Sequence, residues 1–306
     1  MNLNFEYKQL HQLTNHYKGP LLFDISAADV IVAEIVKERF KNLLKFNNNN
    51  KFTVLSGSLV AVELLKKTIE KDSECKHLMK LQTFYPCTFT EYCWDIAKKQ
   101  YYTVGVPQDL ALCDGEQDRL TVLHAAILSD QRLADWFKEC MDKRTVLYEL
   151  IQSISQCKND CIDPEDCGCS DNISKIELFP QIYHAYQTQL KVRHMLDADD
   201  AVNITRIVMS DFPVVRKSCN NIRRFFFVLE AQDLTRLQYQ FLKAVASGDN
   251  KNLMLVGDSK RHTFGRDIGR HDFMTQDFVA DFSPMQFHLK QSDIVISDTD
   301  ESVAAQ

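Results

Sequence analysis

The stretch from Phe225 to Ser259, "FFFVLEAQDLTRLQYQFLKAVASGDNKNLMLVGDS", constrains the fold more than any other part of the chain. Two short apolar runs, "FFFV" and "LMLV", flank an amphipathic segment, "LTRLQYQFLKAV". A run that is apolar at every position suits a strand covered on both faces, and such strands belong to parallel sheets. The segment between them is long enough to supply the crossover that parallel pairing demands. Each run ends in acid: Glu230 with Asp233, then Asp258. Carboxylates at strand ends are where a nucleotide-hydrolysing enzyme holds Mg²⁺ and activates water. These acids, with Gln232 beside them, are the first candidates for catalysis.

The same alternation opens the chain. Pro20–Ile25 ("PLLFDI") reads as a strand, and Val32, Ile35, Val36, Phe40, Leu43 and Leu44 then draw one stripe on a helix. After the polar "NNNN", Phe52–Ser56 is a second strand and "SLVAVELLKKTIEK" a second helix. From about Glu91 to Asp211 helical patterns dominate, broken by the loop-like "QCKNDCIDPEDCGCSDN". The expected architecture is therefore α/β, split in sequence. Residues 1–90 and 211–285 form a parallel sheet flanked by helices, 91–210 a mostly helical insertion, and 286–306 a flexible acidic tail.

Composition narrows the function classes. With 306 residues, 45% hydrophobic and 25% charged, the chain supports a substantial core. A net charge of −6 argues against strong non-specific binding to phosphate backbones, which needs a basic footprint, although a local basic groove is compatible with it. The first residues, "MNLNFEYKQLHQLTNHYKG", lack the apolar centre of a signal peptide, and no stretch approaches the ~18 apolar residues of a spanning helix. Ten cysteines without a secretory signal fit a reduced, intracellular protein of nucleus or cytoplasm, not membrane-bound.

The opening stretch resembles the central motifs of UvrD-like superfamily-one DNA helicases, the UvrD/PcrA/Rep group. Their Walker B motif, VDE-[FY]-QDTN-x-x-Q-[YF]-x-L-L, lies in frame with "VLEAQDLTRLQYQFLKAV". Their next motif, VGDxDQSIYxFRGA, aligns without a gap on "VGDSKRHTFGRDIG". Further landmarks follow in order: "GPLLFDISAADVIVAEIV" is similar to the phosphate-loop segment, "FTVLSGSLVAVELLKKTI" to the TFTNKAA segment, and "TFTEYCWDIAKK" to TFHSFCxRILRE. "YQTQLKVRHMLDADDAV" resembles the segment ahead of Walker B, with Asp197, Asp199 and Asp200 in its acidic positions. The resemblance covers about Gly19 to Phe278. It implies a RecA-like P-loop NTPase fold, ATP with Mg²⁺ as cofactor, and single-stranded or duplex DNA as partner.

The departures fall on the chemistry. A phosphate loop needs glycines, a lysine and a Ser/Thr, whereas Ser26, Ala27 and Ala28 stand there between Asp24 and Asp29. Leu229 replaces the metal-side Asp of Walker B. Glu230, Gln232, Asp233 and Asp258 keep their places. Arg261 occupies the γ-phosphate-sensing position and Asp267 that of the FRGA arginine. Past Phe278 the NYRS-like signature of a second RecA-like domain is not found. The expectation is a pseudo-helicase that needs no cofactor, an accessory or scaffold subunit with a protein partner. The alternatives are a helicase subunit completed by another chain, using ATP with Mg²⁺, and a pure protein-interaction module.

Each candidate site also has a plainer role. Glu230 and Asp233 are either a remnant metal site or acids that cap the next helix and pair with Arg236. Thr88, Phe89, Tyr92 and Phe264, with Lys260, Arg261 and Arg266, fall where the resemblance implies a single-strand path of hydroxyls, aromatics and cations. Phe89 and Tyr92 equally suit core packing. Cys157, Cys161, Cys167 and Cys169 lie close enough to hold zinc, but C-x₃-C and C-x-C are not the paired C-x₂-C spacing, so reduced loop cysteines are the other reading.

Overall fold

The computed structural model describes residues 19–46, 51–73, 75–76, 83–167, 176–222, 224–247, 252–261 and 271–290. The apolar runs named above are strands in it. β1 (Leu21–Ser26) leads to α1 (Asp29–Phe46), β2 (Phe52–Ser56) to α2 (Leu59–Glu70), and β3 (Phe84–Thr88) runs straight into α3 (Phe89–Lys99). After a single turn at Tyr101–Val104 come β4 (Ala111–Cys113), α4 (Glu116–Leu128), α5 (Gln131–Glu139) and α6 (Lys143–Asn159). α7 (Phe179–Val192), β5 (Met195–Asp197), α8 (Ala198–Asp211) and α9 (Pro213–Ile222) follow. The chain then forms β6 (Phe225–Val228), α10 (Arg236–Val245), β7 (Leu253–Gly257) and β8 (Met285–Lys290).

Two compact units result. The first gathers the described residues within 1–89, 214–234 and 245–306, the second those within 90–213 and 235–244, so α10 falls almost wholly in the second. The first unit is a parallel sheet in the order β3-β2-β6-β7-β1-β8. Its register sets Leu55 beside Val228, Val228 beside Leu255, and Leu22 beside Leu255. Every residue of β2, β6 and β7 is buried, as strands covered on both faces must be. α1 and α2 pack Ile35, Val36, Phe40, Leu65 and Ile69 against the sheet. Phe40, Phe52, Phe84 and Phe227 make the aromatic centre of this core.

One boundary is corrected. Residues 286–290, placed by the sequence reading in a flexible tail, belong to β8, which pairs along β1 from Leu21–Met285 to Ser26–Lys290. Phe287 and Leu289 alternate inward against the core, and Phe287 stacks on Phe23 with ring centres 4.9 Å apart. The remaining tail residues lie outside the described ones.

The second unit is built on helices. Leu123, Ile127, Leu150, Ile154, Ile182, Tyr183 and Tyr186 form its centre. A short parallel ladder, β4 with β5, sets Cys113 beside Asp197. Among the described residues no helix is long and apolar enough to cross a membrane.

Candidate functional site

In an open parallel sheet, ligands bind outside the carboxyl ends of the strands where the order of connections reverses. That place lies at the ends of β1, β6 and β7, because β1 crosses to β2 on one side while β7 crosses to β8 on the other. The sheet brings Ser26 to Asp29, Leu229 to Asp233 and Gly257 to Arg261 around one cleft. Ile25, Ala27, Asp29, Glu230, Asp258 and Arg261 are among its lining residues.

Side chains around the cleft bond to one another. Ser26 Oγ donates to Asp258 Oδ2 at 3.1 Å. Asp24 accepts from the backbone N–H of Ser259 at 2.9 Å and from its hydroxyl at 2.7 Å, and lies 3.3 Å from His288 Nδ1. Arg261 grips Asp29 with both arms of its guanidinium, at 2.5 and 3.3 Å. That hydrogen-bonded carboxylate holds the arginine's pKa above its ordinary value. Sequence reasoning placed Asp29 and Arg261 separately and missed their pairing, since no local pattern reports a contact across that distance in the chain.

Glu230 sits at a sharp corner, its backbone in the left-handed region at φ 51°, where a non-glycine residue is uncommon. The carboxylate accepts from Ser56 Oγ at 3.0 Å, and Ser56 Oγ in turn accepts from the N–H of Ser58. Burial pushes the Glu230 carboxyl up, and the charges of Asp233 and Asp29 add to this against the opposing Ser56 bond. Gln232, half-buried, accepts from Asp258 N–H at 3.1 Å and donates to Asp233 at 3.2 Å. Leu229 is buried in the sheet core at 4% exposure.

This donor set fits a magnesium nucleotide poorly. The cleft is open to solvent on one side, and its walls carry more acid than base. A triphosphate needs fixed positive charge and converging N–H groups, yet carboxylates from Asp29, Glu230 and Asp258 line this wall. Arg261, the cation among the described lining residues, is already neutralised by Asp29. Mg²⁺ takes one or two carboxylates with ideal octahedral geometry, usually alongside phosphate oxygens. Leu229 offers no oxygen to it, and among the described residues no His/Cys/Asp/Glu group of three is placed to hold a metal ion.

Of the residues read as a nucleic-acid path, two aromatics among the described residues are packed in cores. Phe89 and Tyr92 are 2% and 4% exposed, and Tyr92 packs edge-on against Phe241 at 6.1 Å, so core packing claims both rings. Thr88 is half-buried at the end of β3, and Lys260 and Arg261 are exposed. Phe264 and Arg266 lie outside the described residues. Of the cysteines, Cys157 and Cys167 face each other with sulfurs 3.3 Å apart, while Cys161 is exposed and Cys169 lies outside the described residues.

The acids ahead of the Walker B-like strand build a different feature, inside the second unit. Lys158 on α6 is buried between Asp197 at 2.6 Å and Asp200 at 2.8 Å, and Arg119 stands about 4 Å from Asp197 and Asp199. Tyr186 donates to Asp197 at 3.2 Å, and Asp197 caps α8 in a reciprocal box with Asp200. Burial alone pushes the Asp197 carboxyl up, yet Lys158 and Arg119 hold it below its ordinary value. For Asp200, burial and the Asp197 charge prevail, and its pKa is pushed up to about 6.

Comparison with known proteins places these features in a lineage. The family model of the UvrD/REP helicase N-terminal domain matches residues 33–275, beginning downstream of Ser26–Asp29. The chain is similar to the ATP-dependent DNA helicase PcrA of Staphylococcus epidermidis, at 25% identity over 266 residues, 86% of this chain and 34% of that protein. It is similar also to the ATP-dependent DNA helicase Rep of Escherichia coli, at 28% over 196 residues, 63% of this chain and 28% of Rep. The chain thus spans about a third of the length of the curated relatives it matches.

Proposed function

Because the chain belongs to the UvrD/REP helicase N-terminal domain family, we propose that it is a pseudo-helicase: an accessory or scaffold protein that does not hydrolyse ATP. It meets DNA-handling machinery through a protein partner, inside the cell. Its fold in this reading is the split RecA-like domain with a helical insertion that the sequence outlines. The observation that carries the proposal is the ion pair between Arg261 and Asp29, which spends the cleft's cation on the protein's own carboxylate. The Ser26–Asp258 and Asp24–Ser259 bonds support it by tying the strand ends together where phosphates would need to enter. Losing loop lysine, loop glycines and metal-side carboxylate together removes the positioning on which phosphoryl transfer depends.

Thermal unfolding with millimolar Mg·ATP tests this. A ligand that binds only the folded state raises the melting temperature, so no shift is expected, in the wild type or in Glu230→Gln. A rise of several degrees that Glu230→Gln alters would sink the proposal. That result would favour a second reading, an ATP-dependent helicase subunit completed by another chain. Retention of Glu230 at its strained corner and the naming of PcrA and Rep as ATP-dependent DNA helicases support that alternative.

A further inference from the structure

Cys157 lies on the buried face of α6, in its last turn, and Cys167 returns to it after the turn that carries Cys161. The turn is well determined by the backbone. Cys161 N–H donates to Lys158 O, Ile162 N–H donates to Cys157 O at 2.8 Å, and Asp166 N–H donates to Asp163 O. Tyr183 from α7 donates to Ile162 O at 3.4 Å and holds the turn from the other side. The outcome is two buried sulfurs 3.3 Å apart, at 0% and 6% exposure. A disulfide needs about 2.05 Å, so closure asks for about 1.2 Å of movement.

We propose that Cys157 and Cys167 form a reversible dithiol–disulfide pair, oxidised by low-molecular-weight disulfides, which staples the acidic turn 160–166 to α6. Cys167, the less enclosed of the two, attacks the external disulfide as a thiolate and expels one thiolate. Cys157 then attacks the Cys167 sulfur and expels the second. Two electrons leave the protein pair and reduce the reagent to two thiols, which carry off both cysteine protons. Burial pushes both thiols above their ordinary value, so exchange is slow at neutral pH and speeds up as the medium becomes alkaline. The consequence reaches the next residue. Lys158 belongs to the same helical turn, and the bridge fixes the helix end that seats it between Asp197 and Asp200.

The test incubates the full chain with glutathione disulfide at about pH 8.5, then maps disulfides by proteolysis and mass spectrometry. The expected result is a Cys157–Cys167 peptide pair, lighter by about 2 Da, formed equally in Cys161→Ser and lost in Cys167→Ala. Differential alkylation of the wild type gives the same answer without a variant, both thiols becoming protected together and released by dithiothreitol. A bridge to Cys161 or Cys169, or stable glutathione adducts in place of a bridge, would overturn the proposal. So would protection that requires zinc and disappears with a chelator, which would make these thiols metal ligands.

Discussion

Two neighbouring residues, Leu229 and Glu230, carry the contrast between inheritance and use. Leu229 fills the sheet core where a metal-side acid would stand, and restoring the acid is therefore costly. Leu229→Asp is expected to lose about 3 kcal/mol in urea unfolding, because it buries a charge without a partner, and to gain no nucleotide-dependent thermal shift. Gly257 is retained for packing: a Cβ there would stand 2.4 Å from Gln232 Oε1 and 2.8 Å from Met274 Sδ. Gly257→Ala should cost about 2 kcal/mol, as overpacking does. Asp200 makes one contribution to the pH behaviour, since its folded pKa of about 6 lies above its ordinary 3.8. A group raised on folding contributes stability that is full below about pH 4 and is lost as pH rises through 6. Asp200→Asn should lessen that fall in the urea midpoint between those pH values, with Asp197, held low by Lys158 and Arg119, acting in the opposite sense. An Asp200→Asn profile with the same slope as the wild type would refute the assignment.

Elements differ in how openly the sequence announces them. β2 was legible to the residue because Phe52, Val54 and Leu55 stand together between a polar, asparagine-rich stretch and a polar corner. The sheet and the nucleotide-fold ancestry followed from β6 and β7, whose every position is buried. β4 and β5 were missed inside a region of helical pattern, since three residues are too few for a period to show. β8 was missed because only Phe287 and Leu289 mark its inner face. The site's parts were legible through their order in the chain. Their pairing was not, since Arg261–Asp29 and Asp24–Ser259 depend on the strand order of the finished sheet. The charge cluster joining α6 to α8 offers a test at this scale. Lys158→Met leaves Asp197 and Asp200 without their nearest cation and should cost about 3 kcal/mol. Adding Asp200→Asn should recover part of that loss, and strictly additive effects would show that the three groups are not coupled.

For the whole molecule, the matter is whether it grips nucleic acid directly or is brought there by a partner. Backbone binding draws on cations that release counterions from phosphates, and this chain carries a net charge of −6. Stacking requires open aromatic faces, whereas Phe89 and Tyr92 are built into cores. Arg261 meets a carboxylate before it could meet a phosphate. Lys260 is exposed beside it, and a single surface lysine adds little affinity at physiological salt. Our expectation is that fluorescence anisotropy of a labelled single-stranded oligonucleotide stays flat at about 50 mM salt, through protein concentrations on the order of the 10⁻⁴–10⁻⁶ M typical of non-specific binding. An anisotropy that rises with protein and falls again as salt is added would place a nucleic-acid surface on this chain itself. In that event Lys260→Ala should lower the salt slope by about one unit if that lysine contacts a phosphate. A flat response, with the protein folded by circular dichroism, leaves recognition to protein contacts, as the proposed accessory role requires.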